Sequence, residues 1–344
     1  MDPVRVGLLG AGAVAQVAHL PAYRRLRNAR LLAICDSEPA KRRALRERTG
    51  VKYAVASLDE LLAIDEIDAV DVCLPSHQHR DAVIRCLEAG KHVLCEKPLA
   101  ITPEDVDDIV AARERTGRIL LVGMNNRYRD DVILLKKFVE DGTLGGIVYA
   151  RAGWFKRRDR IRPEEWHYRT DLSGGGVFMD LGIQILDLSL WLSGYPEPER
   201  ATAAFHHHLT EIEVEDSAVV SLSCAGGVTI ALESSWRFVS DTEHISLGLF
   251  GTDGSALLNP IRIFQQQHGN VLNVTPQAQR RAGNLYKESY EREIAFFAQI
   301  VAGREEAPPL AEQRALARAV AAIQRSASEG REVAVALVEG PAAG

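Results

Sequence analysis

Val4-Arg5-Val6-Gly7-Leu8-Leu9 runs directly into Gly10-Ala11-Gly12-Ala13-Val14-Ala15, and this junction decides the fold. The first six residues have the largely apolar character of a strand buried on both faces. The next six place glycines at the first and third positions of a turn, where the backbone must bend sharply and leave room beside itself. From Ala13 to Leu26 the pattern is helical. A helix opening there turns its unpaired N–H groups and the positive end of its dipole toward an anion held by the turn. A second apolar run, Leu31 to Cys35, ends in Asp36, 21 residues beyond Ala15. A carboxylate at that separation lies beside the turn and accepts hydrogen bonds from a ribose.

The turn fits G-x-G-x-x-A, the alanine form of the Rossmann fingerprint. Gly10, Gly12, Ala13, Val14 and Ala15 are therefore expected around a dinucleotide pyrophosphate, with Asp36 at the adenosine ribose. A carboxylate repels a 2'-phosphate, which favours NAD over NADP; Lys41 or Arg42 would rescue a phosphate only by folding back onto it. The other reading is a Rossmann-like domain using the same turn for a different nucleotide or for none.

Working outward, Ala69 to Leu74, His92 to Cys95 and Ile119 to Val122 repeat the buried-strand pattern, with helices between them. Ser37-Glu38-Pro39 and Thr102-Pro103-Glu104 read as helix starts, and Gly90 as a helix end. Such alternation specifies a parallel sheet. After Gly123 strands dominate (146–156, 200–208, 214–224, 228–236 and 243–250), with turns at Ala225-Gly226-Gly227 and Gly251-Thr252-Asp253-Gly254. Short turns between successive strands imply an antiparallel sheet. Helices are expected at 129–140, 177–192, 286–302 and 312–329, the last two separated by Pro308-Pro309. The predicted fold class is thus α/β followed by α+β: a Rossmann doubly wound parallel sheet over 1–123, then an open, mostly antiparallel sheet domain flanked by helices over 124–344.

The chain has 344 residues, 46% of them hydrophobic, and a formal net charge of -6. That length suits two domains, and the charge favours neither nucleic acid nor an anionic membrane as partner. Five cysteines, Cys35, Cys73, Cys86, Cys95 and Cys224, are scattered without a C-x-x-C pair, which argues against a disulfide framework and for a reducing cytoplasm. The first strand starts almost at Met1, leaving no room for a secretory signal. No apolar stretch is read as reaching the roughly 18 to 20 residues that span a bilayer.

At Glu96-Lys97-Pro98, ending the fifth strand, the sequence resembles the glucose-fructose oxidoreductase and inositol dehydrogenase family, Gfo/Idh/MocA. Leu74-Pro75-Ser76-His77-Gln78-His79 is similar to that family's loop after strand four, and Gly123-Met124-Asn125-Asn126-Arg127-Tyr128 to its domain crossover. Gly174-Gly175-Gly176-Val177-Phe178-Met179-Asp180-Leu181-Gly182 resembles the helix entry carrying its second catalytic motif. Gly251-Thr252-Asp253-Gly254 and Ser328-Glu329-Gly330-Arg331 are further matches. The resemblance implies hydride transfer at a sugar or polyol carbon. It implies cofactor contacts from Leu74, Pro75, Ser76, His79, Glu96, Lys97 and Asn125, with Lys97 near the nicotinamide and substrate and Asp180 as the second-motif aspartate. It also implies a homodimer or homotetramer formed through the C-terminal sheet.

One position departs from the family pattern. D-x-x-x-H read from Asp180 ends in Gln184 in place of histidine. An imidazole takes a hydroxyl proton near neutral pH, whereas an amide does not titrate. Gln184 can therefore orient a hydroxyl without being its base. Lys97 is the leading candidate for proton relay, and His167, Tyr168, His77 and His79 are further titratable groups. Asp187 falls two helical turns after Asp180, on a face that could converge on one ligand. The leading reading is a cytoplasmic NAD-dependent dehydrogenase of a sugar, polyol or related compound. Beside it stand a redox-neutral enzyme that retains its NAD, and a dinucleotide-binding protein without catalysis.

Other features have plainer readings. Phe155-Lys156-Arg157-Arg158-Asp159-Arg160-Ile161-Arg162 could clamp an anionic substrate but reads first as a solvated loop. In His206-His207-His208 a strand puts the outer two on one side and the middle one on the other, with no third ligand, so no metal is assigned. Trp166 and Trp236 suit either a sugar-stacking or a core role.

Overall fold

The computed structural model describes residues 2–156, 161–237, 239–240, 242–276 and 284–336. Residues 157–160 of the basic run lie outside the described residues. The chain forms two compact units, one of residues 1–129 and 283–310, the other of residues 130–282 and 311–344.

In the first unit six strands form one parallel sheet: β1 (Val4–Leu9), β2 (Ala29–Cys35), β3 (Tyr53–Val55), β4 (Ala69–Val72), β5 (His92–Glu96) and β6 (Leu120–Gly123). Their order, β3-β2-β1-β4-β5-β6, is the doubly wound Rossmann order, with the strand sequence reversing beside β1. β3 escaped the sequence pattern because three half-buried residues are too few to show a period. The Pro103–Thr116 helix starts as expected, with Thr102 accepting from the Asp105 N–H at 3.1 Å and Gly117 closing it in the left-handed region. The Pro39–Thr49 helix uses a different device. There Asp36 Oδ1, not Ser37, accepts from the Glu38 N–H at 3.0 Å.

This unit differs from the expected 1–123 segment in two ways. It runs on to residue 129, and residues 283–310 return to it. The return carries the Leu285–Val301 helix, whose Ile294, Phe297, Ala298 and Ile300 share a core cluster with Val4, Val6, Ala69, Leu94 and Leu121. A parallel sheet must be covered on both faces, and this late helix supplies part of the cover. The change back to the second unit comes just after Pro308-Pro309, between residues 310 and 311.

The second unit holds a nine-stranded sheet of β7 (Ile147–Phe155), β8 (Pro198–His206), β9 (Ser217–Cys224), β10 (Thr229–Ser235), β11 (His244–Gly251), β12 (Gly254–Leu258), β13 (Arg262–Gln267), β14 (Asn270–Asn273) and β15 (Val333–Ala334). The order is β14-β13-β12-β11-β7-β10-β9-β8-β15, and all pairs are antiparallel except β7 with β10. The Ala311–Glu329 helix packs on β8. The helical stretch Thr170–Leu192 corrects one expectation from the sequence. By length and composition its 23 residues could cross a membrane, but the Gly174-Gly175-Gly176 turn interrupts the helix and 83% of its most apolar window is buried inside the protein.

Candidate active site

The glycine turn is shaped by two different constraints. Gly10 has φ +87, and a Cβ there would lie 2.7 Å from the Cys73 carbonyl oxygen, so strand packing alone demands glycine. Among the described residues nothing lies within 4 Å of where a Cβ on Gly12 would stand. Its missing side chain relieves no internal contact and leaves open space at the start of the helix. Gly12 and Ala13 are exposed, Val14 is half-buried, and Ala15 is fully buried where the helix meets the sheet. Open backbone at a helix entry fits a pyrophosphate.

Asp36 closes the turn from the end of β2. Its Oδ2 accepts from the Ala11 N–H at 3.0 Å and from Lys41 Nζ at 3.3 Å. Burial would raise its pKa, but the Glu38 and Ala11 N–H groups and the Lys41 ammonium together hold it below the usual carboxylate range. Arg42 Nη1 donates to the carbonyls of Asp36 and Ser37 at 2.7 and 2.9 Å. Both nearby cations are thus engaged with their own turn.

At the ends of β4 and β5 the expected contact residues gather within the same unit. Leu74 and Pro75 are half-buried and Ser76 is buried. His79 is 1% exposed, with Nδ1 2.7 Å from the Pro98 carbonyl and Nε2 2.8 Å from the Leu74 carbonyl. Burial holds its pKa below the usual histidine value, against the pull of those carbonyls. His79 is packed between the loop after β4 and the segment after Lys97, and its single ring N–H donates to one of the two carbonyls. The side chain expected as a cofactor contact is thus buried beneath that loop. Asn125 is likewise buried and donates to Ser289 Oγ at 2.9 Å. Lys97 is half-buried, and its backbone N–H donates to Glu96 Oε2 at 3.2 Å.

In the second unit the Gly174-Gly175-Gly176 turn leads into the helix bearing Asp180. Glu215, buried just before β9, caps it: its carboxylate accepts from the Gly176 and Phe178 N–H groups at 2.8 and 2.9 Å, and its carbonyl accepts from Val177 at 3.0 Å. Burial raises the Glu215 pKa, opposed by those two N–H groups. A Cβ on Gly176 would run into the Glu215 carbonyl, which explains the third glycine. Asp180 lies in a π-helical segment, Phe178–Gly182, a local widening frequent at functional sites. Trp236 Nε1 donates to Asp180 Oδ2 at 3.1 Å, and Gln184 Nε2 donates to the Asp180 carbonyl at 3.0 Å. Asp180 and Gln184 are half-buried, but Asp187 is 1% exposed, so the expected three-residue face reduces to two.

His167 stands in an aromatic row. Its ring meets Trp166 and Tyr168 edge-on at 4.7 and 5.5 Å, and Tyr168 meets Trp236 at 5.8 Å, next to Asp180. His167 Nε2 also lies 3.0 Å from Glu165 Oε2. His77 is exposed beside Gln78, and His206 at the end of β8 stacks on His208 just beyond it at 5.7 Å, so the expected strand stops short of His208.

Residues 4–124 match the model of an oxidoreductase family with an NAD-binding Rossmann fold, and residues 132–257 match the GFO/IDH/MocA C-terminal domain. The chain belongs to this family. It is an NAD-binding oxidoreductase of the Gfo/Idh/MocA type. Inositol 2-dehydrogenase of Rhizobium meliloti (strain 1021) is 30% identical over 97% of this chain and 99% of its own length. D-glucoside 3-dehydrogenase of Escherichia coli (strain K12) is 28% identical over 79% of this chain and 82% of its own. Among solved structures, the aldose-aldose oxidoreductase of Caulobacter crescentus complexed with glycerol superposes with TM-score 0.83 at 26% identity, covering 96% of this chain and 99% of that one.

Sequence reasoning in this family member missed Glu215 and a buried group around His19, Asp71 and Glu293. An acidic pair ahead of a strand carries no signal for Glu215, because its partners are 37 and 39 residues away in the chain. His19 did leave a trace: it is an ionisable residue among Ala15, Ala18, Leu20 and Ala22 on the buried side of the first helix.

Proposed function

We propose that this oxidoreductase is an NAD-dependent dehydrogenase of a cyclic sugar or polyol, acting at a secondary CH–OH carbon. The observation that carries the cofactor choice is Asp36, held as a carboxylate beside the open backbone at Gly12 while Lys41 and Arg42 are turned to their own loop. The substrate class rests on the dehydrogenases of inositol and glucosides among the relatives. NAD when bound supplies the hydride acceptor. Gly10, Gly12, Ala13, Val14 and Ala15 form the pyrophosphate turn and Asp36 binds the ribose. Leu74, Pro75, Ser76 and Glu96 shape the nicotinamide end. Lys97 relays the hydroxyl proton, and Asp180 and Gln184 hold substrate hydroxyls, with His167 as a further proton acceptor. The test is turnover on a panel of inositols, hexoses and glucosides, followed by NADH absorbance and product analysis. Lys97→Ala is expected to lower kcat by roughly 10²–10⁴-fold; unchanged turnover would refute the assignment.

A second reading is favoured by Gln184, which brings no titratable group to the histidine position, and by the likeness to an aldose-aldose oxidoreductase. In it, the hydride taken from one substrate is returned to another and NAD stays bound. Product without free NADH in the same assay supports it.

The assembly we propose is a homodimer or homotetramer through the open face of the nine-stranded sheet. That face shows Phe250, Leu257 and Val219 at 39%, 40% and 50% exposure, with Tyr149 stacked on Phe250. Light scattering that returns a monomer would refute it. We place the enzyme in a reducing compartment such as the cytoplasm, a location supported by five buried, unpaired cysteines.

A further inference from the structure

A chain of hydrogen bonds runs beneath the Glu96-Lys97 peptide. Asp71 Oδ2 on β4 lies 2.8 Å from His19 Nδ1, and His19 Nε2 lies 2.8 Å from Glu96 Oε1 at the end of β5. The other Glu96 oxygen accepts the Lys97 N–H. His19, Asp71 and Glu96 are 1%, 0% and 5% exposed. His19 ends a π-helical segment, Ala15–His19, two residues ahead of Pro21, which has no N–H to continue an α-helical ladder.

The groups facing His19 come from every element around it. Tyr23 on the same helix donates to Asp71 Oδ2 at 2.8 Å. Cys73 Sγ, after β4, lies 3.6 Å from Nδ1. From the Leu285–Val301 helix, the Tyr290 ring stands 5.2 Å from the imidazole, and among the described residues neither oxygen of the fully buried Glu293 carboxyl has a hydrogen-bond partner. His19, Asp71 and Cys73 have the spacing of a metal triad. However, 2.8 Å is a hydrogen-bond length, shorter than the ~3.3 Å between two ligands of a tetrahedral ion with bonds near 2.0 Å.

A neutral imidazole has one N–H and serves one carboxylate; only the cation donates to both. Burial works against that cation, but the Asp71 carboxyl at Nδ1 outweighs it and holds the His19 pKa well above the usual value. Burial and Glu96 push the Glu293 carboxyl up as well, well above the carboxylate range, so that acid keeps its proton. The imidazolium spans the Asp71 and Glu96 carboxyl groups, and Glu96 also accepts the N–H of the peptide from which Lys97 projects.

We propose that His19 is a positioning residue for Lys97, acting through Glu96 and braced by Asp71; this rests on the reading of Lys97 as proton relay. A site whose acid–base group hangs from a strand end depends on the orientation of that last peptide. Loss of the clamp frees the peptide while the glycine turn and Asp36 still bind NAD.

The test uses the full-length protein. His19→Gln is expected to lower kcat at least tenfold and to leave the Kd for NAD within about threefold. The rise of kcat with pH is expected to move about one pH unit higher, because a buried positive charge is gone. A folded His19→Gln with wild-type kcat and pH profile overturns the proposal. If that variant does not fold, wild-type protein labelled with 15N-histidine decides: a doubly protonated His19 at pH 8, converted to the neutral form in Asp71→Asn, supports the clamp, and a neutral His19 at pH 8 overturns it. That spectrum does not depend on turnover. An inactive wild-type enzyme with a protonated His19 would therefore refute the dehydrogenase reading and leave the clamp standing.

Discussion

Alanine at Gly10 and alanine at Gly12 are expected to fail in different ways. At Gly10 the new Cβ would lie 2.7 Å from the Cys73 oxygen and 3.0 Å from its carbon, on backbone already at φ +87. Left-handed backbone costs a non-glycine residue about 1–2 kcal/mol, and forcing two strands apart adds about 1–3. The sum, roughly 2–5 kcal/mol, corresponds to a fall of roughly 5–15 °C in Tm for a domain of this class. At Gly12 the methyl meets nothing within 4 Å, so the free protein should melt within about a degree of wild type or slightly higher. The same methyl occupies the space assigned to the pyrophosphate. Crowding of about 1.4–2.8 kcal/mol weakens NAD binding by roughly 10- to 100-fold. Thermal melts of both apo variants, with NAD titrated by calorimetry, separate the effects. Gly12→Ala with wild-type NAD affinity would refute the cradle, and an unchanged Tm for Gly10→Ala would refute the packing argument.

Asp36→Asn removes the charge that repels a 2'-phosphate, so its Kd for NAD should rise about tenfold while the NAD-to-NADP preference narrows, as measured by parallel titrations. Phe297→Ala empties a fully buried site in the core under β1 and β4. It should cost about 3–5 kcal/mol in denaturant unfolding, and a loss under 1 kcal/mol would show that the returning helix is not part of that core. Glu293 gives a pH-dependent outcome. Its folded pKa is raised, first by burial and then by Glu96. The unfolded chain therefore releases this proton near pH 4.5 while the folded one keeps it, and stability falls as pH rises from there to the folded value. Every tenfold difference in proton affinity between the two states is worth about 1.4 kcal/mol. Glu293→Gln cannot ionise, so its Tm advantage over wild type should grow from pH 5 to pH 8. His19 titrates with the same overall slope, its contribution complete below pH about 6.5 and lost through its raised folded value, and the substitution leaves that part in place. A Tm difference that does not change with pH would show that Glu293 is already ionised in the folded protein.

What the sequence made legible was local. Val4 to Ala15 and the run ending at Asp36 lie within one strand–helix–strand unit, where neighbours in the chain are neighbours in space, so the nucleotide turn could be read from spacing alone. The Leu285–Val301 helix could not be placed the same way. Its amphipathic pattern says that Ile294, Phe297 and Ala298 face something apolar, and only the topology says that this is the first sheet. The same limit hid the groups behind Lys97. His19 and Glu293 each interrupt the buried face of a helix, and such an interruption, taken singly, reads as a misplaced polar residue. Burying one ionisable group without a partner costs several kcal/mol, so each interruption calls for groups on other elements to stabilise it. For His19 those groups are Asp71 and Glu96, 52 and 77 residues away in the chain. Glu293 has no hydrogen-bonded partner among the described residues, and burial with Glu96 beside it holds that carboxyl well above the usual carboxylate range. Two exceptions to the apolar pattern, on helices nearly the whole chain apart, therefore mark one place in the fold. It is the end of β5, where the backbone hands over to Lys97.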